Sequence, residues 1–373
     1  MKKDQSAENK ISTLAVAILL VSSFFMVLIP LPATAQFEQQ TTFSPKLQNI
    51  SLDNLRTIID HNMKNMLSSL GSNLNQNAKL KNNGSLISVS DVFSNPNVKF
   101  NFSSGIAINS TGFVYVDDTG NNRIQIFDSS GHWKKSFGEF GTANGQFYHP
   151  LGIAVNSTGF VYVSDSGNNR IQIFDSSGHW KISFGTHGTA NGKFHDPSGI
   201  AINSTGFVYV DDAFNNRIQI FDSSGHWKKS FGKLGTANGQ FAFPTKIAIN
   251  STGFVYVDDT GNNRIQIFNS SGHWKKSFGK FGTANGQFDN PSGVAVNSTG
   301  FVYLADAGNN RIQIFDSSGH WKKSFGKFGA ANGQFDNPSG VAVNSTGFVY
   351  VDDTGNNRIQ IFYSSGHWKK SFG

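Results

Sequence analysis

Six times in this chain an aspartate stands five residues ahead of an arginine: Asp118 and Arg123, Asp165 and Arg170, Asp212 and Arg217, Asp259 and Arg264, Asp306 and Arg311, Asp353 and Arg358. Six carboxylates in a ring could hold a cation. Each could equally close a turn and pair with the arginine beside it. Histidine recurs as faithfully, at His132, His179, His226, His273, His320 and His367, always in a Ser-Ser-Gly-His turn. Imidazoles could move protons or ligate a metal. A reacting group is needed once per active site, however, so residues copied into every unit are read as scaffold and the aspartate–arginine pairs as struts. Chemistry that belongs to one place must come from residues that break the pattern. These are Glu139, Tyr148, His149, His187, His195, Asp196, Phe214, Phe243 and Lys246, the candidate ligand-binding face. No residue is given a catalytic role, and no metal or cofactor is assigned. The absence of cysteine excludes disulfides, thiolate metal sites and cysteine nucleophiles.

The elements that must position these residues follow from the repeat. Asn-Asn-Arg begins at residues 121, 168, 215, 262, 309 and 356, a period of 47, and six copies of one unit fill residues 97–373. A strict period of this size means a stacked or radial array. In the unit at 285–331 four strands are expected, at 293–296, 301–305, 311–315 and 321–325. Between them lie Asn-Ser-Thr-Gly, Gly-Asn-Asn and Ser-Ser-Gly-His, turn sequences in which Gly and Asn tolerate positive φ and Asn and Ser bond their own backbone. The second strand is apolar on both faces, as Phe113, Val114, Tyr115 and Val116 show, so neighbouring sheets must cover both. Six sheets arranged radially do so. The expected fold is all-β, a six-bladed β-propeller with four antiparallel strands per blade.

The motif Pro-x-Gly-[IV]-Ala-[IV], then Gly-Phe-Val-Tyr-Val-x-Asp-Thr-Gly-Asn-Asn-Arg-Ile-Gln-Ile-Phe, then Ser-Phe-Gly, resembles the NHL repeat in all six units. That resemblance implies a six-bladed propeller of a family composed mostly of recognition platforms for proteins or RNA, with lyases and lactonases among distant relatives. Unit one departs from the pattern, with Ser103 where the others have Pro150, Pro197, Pro244, Pro291 and Pro338. Ring closure must then rest on packing or on an added strand from residues 86–93. Relatives with zinc-binding RING segments need cysteines that this chain lacks.

Ahead of the repeats, Lys2, Lys3 and Lys10 precede an apolar run at 14–31 and the small-x-small sequence Ala33-Thr34-Ala35. Residues 1–35 read as a secretory signal cut after Ala35 or, uncleaved, as a membrane anchor. Residues 36–96 form a polar linker in which apolar residues at helical spacing predict an amphipathic helix over about 52–70. Export makes Asn109, Asn156, Asn203, Asn250, Asn297 and Asn344 candidate glycosylation sites, each heading Asn-Ser-Thr, with further sequons at Asn49, Asn83, Asn101 and Asn269. The net charge of +7 is a weak field on so large a surface, which disfavours nucleic acid. The expected function is therefore a non-catalytic extracellular or cell-surface platform for a protein, peptide or glycan, touching membrane only through the N-terminus. A metal-assisted lyase or lactonase and a structural or adhesive envelope protein are the alternatives.

Overall fold

The computed structural model describes residues 99–373, together with the backbone of a small hairpin, Leu80–Asn82 paired antiparallel with Ser85–Ile87. The signal or anchor at 1–35, the helix at 52–70 and most of the proposed clasp at 86–93 lie outside the described residues. From residue 99 onward the chain forms six sheets of four antiparallel strands, each a simple meander running from the axis outward. Blade one comprises Gly105–Ile108, Val114–Asp118, Arg123–Phe127 and Trp133–Phe137. Blade four comprises Pro244–Ile249, Val255–Asp259, Arg264–Phe268 and Trp274–Phe278.

The turns explain why this sequence meanders. Asn109 Oδ1 accepts hydrogen bonds from the Thr111 N–H, the Thr111 hydroxyl and the Phe113 N–H at 2.8–3.1 Å, and the same Asx turn recurs in every blade. Phe301 is the closing residue of that turn. The second strand therefore runs Val302–Asp306, one residue later than the apolar run suggests. The Gly-Asn-Asn segment makes a single 3-10 turn whose last asparagine, Asn122 in blade one, is left-handed at φ 53°. Asparagine is among the few non-glycine residues that enter that region cheaply.

Each hydrophobic cluster is shared by two consecutive blades. Tyr115, Ile124 and Ile126 of blade one meet Ile153, Val161, Val163 and Phe174 of blade two, with the fully buried Phe147 of the connection wedged between them. The seam between blades six and one is built the same way. There Phe100 takes the place of Phe147, lying 5.5 Å from Phe127 and 6.5 Å from Phe372, and Ile359 and Ile361 pack against Val114 and Val116. The ring is thus closed by packing among the described residues.

Candidate functional site

Second-to-third turns and blade-to-blade connections share one face of the propeller, and the strut aspartates tie them together. Asp165 accepts from Arg170 Nε at 2.7 Å, from Asn168 and Gln172, and from the backbone N–H of Tyr148 in the incoming connection. Every blade has the same aspartate–arginine contact at 2.7 Å, with the carboxylate fully buried. A second tie comes from the left-handed asparagine: Asn122 Oδ1 accepts from His149 N, Asn169 Oδ1 from Asp196 N and Asn216 Oδ1 from Phe243 N, at 2.9–3.0 Å.

This geometry lifts the pattern-breaking residues onto the connection face in two strings. Tyr148 meets Phe140 edge-on at 5.5 Å and leans on His149 at 4.6 Å, while Glu139 accepts from Gln146 nearby. Further round, His187 meets His195 edge-on at 5.0 Å, His195 stacks on Phe214 at 4.8 Å, and Phe214 meets Phe243 edge-on at 5.3 Å. Asp196 follows His195 on the same connection. The position that His187 occupies in its blade is Phe140, Leu234, Phe281 and Phe328 in others, and all four of those apolar side chains are exposed.

One residue of each connection sits at φ near +50°. Asn290 and Asn337 fill that place in two connections, but Phe102, His149, Asp196 and Phe243 fill it in the other four. Phenylalanine is poorly suited there twice over, since its Cβ crowds the left-handed backbone and its ring is turned to solvent, 61% exposed at Phe102 and 46% at Phe243.

Lys246 does not lie on this face with the others. It stands where five blades have Gly105, Gly152, Gly199, Gly293 and Gly340, lining the axial cavity of about 60 Å³, and its ammonium crosses the channel to donate to the Leu151 carbonyl of blade two at 2.6 Å. Behind those glycines lies a layer that sequence reasoning missed. Asp117, Asp211, Asp258 and Asp352 are fully buried around the axis, with Ser164 and Ala305 completing the six. A Cβ at Gly105 or Gly199 would collide with the carboxylate of Asp117 or Asp211, so glycine is what makes room for them. Both oxygens of Asp117 and of Asp211 lack hydrogen-bond partners, as does one oxygen each of Asp258 and Asp352. Ser103 donates to the other Asp352 oxygen at 2.7 Å.

Burial pushes Asp117 up to about 7 and Asp352 up to about 8, against the pull of Lys246 and, for Asp352, of the Ser103 hydroxyl. Asp211 and Asp258 are driven well above the ordinary carboxylate range by the same loss of solvent. Burial lowers Lys246, and the four carboxylates around it, Asp117 foremost, oppose that shift. The arrangement is a ring of buried carboxyls facing one internal cation. Among the described residues no three histidine or carboxylate side chains come close enough together to hold one metal ion.

The family pattern described as the NHL repeat matches residues 100–127, 147–174, 194–221, 241–268, 288–315 and 335–362, one match per blade. The chain belongs to the NHL-repeat family. Each match of this NHL protein begins at the wedge phenylalanine and ends with the third strand of the blade. Among solved structures it is similar to a streptogramin B lyase, with a TM-score of 0.54 at 17% identity over 74% of this chain and 84% of the other. The virginiamycin B lyase of Staphylococcus aureus gives 0.53 at 17% identity over 74% and 85%. A Bacteroides thetaiotaomicron protein of unknown function gives 0.56 at 15% identity over 71% and 70%. At such identities what is shared is the fold. No curated protein matches the chain.

Proposed function

We propose that this NHL propeller is a recognition platform, working outside the cell, that takes a protein, peptide or glycan ligand on its connection face. The observation that carries this reading is the set of bulky residues held in left-handed backbone. Where Asn290 and Asn337 show the low-strain solution, Phe102, His149 and Phe243 accept a strained backbone and display rings to solvent. Strain of roughly 1 kcal/mol or more per residue, kept at an exposed position where it adds nothing to the core, is a mark of a binding surface. Aromatic rings on such a surface supply contact area at low entropic cost.

The alternative of a lyase draws on the near-neutral carboxyls of Asp117 and Asp352, which would suit acid–base chemistry. Those groups are sealed behind the innermost strands, and an axial cavity of about 60 Å³ admits waters and little else. The platform reading needs only what the surface already presents.

The test uses peptide and glycan arrays probed with the intact protein and with a variant carrying Phe102→Asn, His149→Asn and Phe243→Asn. The variant should be the more stable of the two and should lose the array signals of the parent. Equal signals from both proteins, or none from the parent, would refute the reading.

A further inference from the structure

The opposite face carries a different anomaly, independent of the connection face. In blades one, two, three and five, the third-to-fourth turn begins with Asp128, Asp175, Asp222 or Asp316. Each of these carboxylates pairs with the first lysine of its outer strand, Lys134, Lys181, Lys228 or Lys322, at 2.8–2.9 Å. Each also lies 3.2–3.3 Å from the Nδ1 of the turn histidine. In blade six the turn begins with Tyr363, and Lys369 lies 3.6 Å from the centre of the Phe348 ring instead.

Blade four alone has asparagine. Asn269 preserves the turn, accepting from Ser271 N at 3.1 Å and His273 N at 2.9 Å, but it brings no charge. Lys275 is therefore left, among the described residues, without the carboxylate or ring that serves its five counterparts. It points into a groove of about 580 Å³ between blades four and five, a size suited to a small organic ligand. Lys276 lines the same groove and donates to the Ser318 carbonyl at 2.5 Å, leaving two of its three ammonium protons free. Phe254, 38% exposed, offers its ring to the groove while Tyr256 lies buried at its floor, and Ser298 and Ser317 line the lip.

We propose that this groove binds an anionic saccharide, with a sulfate or carboxylate of the sugar on Lys275. An ammonium stripped of its partner supplies the counter-charge. The serine-lined lip suits the ring hydroxyls, and the exposed Phe254 ring suits the apolar face of a pyranose. A simple inorganic anion would use the lysines and leave the rest of the groove idle.

The deciding variant is Asn269→Asp, which restores the blade-three pattern, keeps both lysines and leaves the turn intact. Protein made in a host that adds no N-glycans is required, because Asn269 itself heads a sequon. Titration at low ionic strength with a sulfated, uronate-containing disaccharide should show saturable binding to the parent. Binding should weaken at least about tenfold in Asn269→Asp and in Lys275→Met, while the connection-face triple variant binds like the parent. Failure of the parent to bind, equal affinity in Asn269→Asp, or equally tight binding of inorganic sulfate would each overturn the proposal. The unfolding midpoint of Asn269→Asp, expected at or above that of the parent, guards against reading misfolding as lost affinity.

Discussion

At Lys246 a single ammonium faces four buried carboxylates, and the protons among them make stability a function of pH. Folding lifts Asp117 from 3.8 to about 7 and Asp352 to about 8, so the native state keeps protons that the unfolded chain has released. Stability is therefore greatest below the unfolded value and falls as pH rises through 7 and 8. Thermal scans should show a midpoint that drops between pH 5 and 8, and Asp117→Asn with Asp352→Asn should flatten the slope. An unchanged slope would mean that these carboxyls are ionised in the native protein. Lys246→Met should cost more stability at pH 8, where Asp117 is ionised and loses its counter-charge, than at pH 5, where it carries a proton, as read from denaturant midpoints at the two pH values. At the surface the sign reverses: Phe243→Asn should raise stability by about 1 kcal/mol, read from denaturant midpoints, because asparagine fits the left-handed backbone.

Each blade depends on a wedge that comes from the connection before it. Phe147 is fully buried between two sheets, so Phe147→Ala should cost about 3–5 kcal/mol. Phe281, 69% exposed a few residues before the next wedge, should tolerate serine within about 0.5 kcal/mol. The strands themselves were legible in the sequence because their turns are: Asn-Ser-Thr-Gly and Gly-Asn-Asn bend by local chemistry, and the period counts the blades. The strut partners were legible too, since Asp118 and Arg123 flank one turn and keep their spacing six times. The axial layer was not. Asp117 has acidic counterparts in three further blades but Ser164 and Ala305 in the other two, so it is neither a six-fold strut nor a singular site residue. Strand alternation holds the missing signal, because neighbours such as Asp117 and Asp118 must face opposite ways. The groove beside Lys275 was equally hidden, since Asn269 changes the turn by one amide and its effect is felt only where two blades meet.

The whole ring is six nearly equal interfaces, and the seam between blades six and one is one of them. Phe100 supplies its wedge and Phe102 N donates to Asn357 Oδ1 at 2.8 Å, repeating the ties made at the other connections, while Ser103, where the others have proline, adds a bond to Asp352. Phe100→Ala should therefore lower the unfolding midpoint as much as Phe147→Ala does. Gly373 lies against the Phe100 ring, so the two ends of the repeat array meet. The circle consequently has no privileged cut. A circular permutant that joins the ends through a short linker and opens instead between blades three and four should fold to the same ring, with the old seam continuous and a new one in its place.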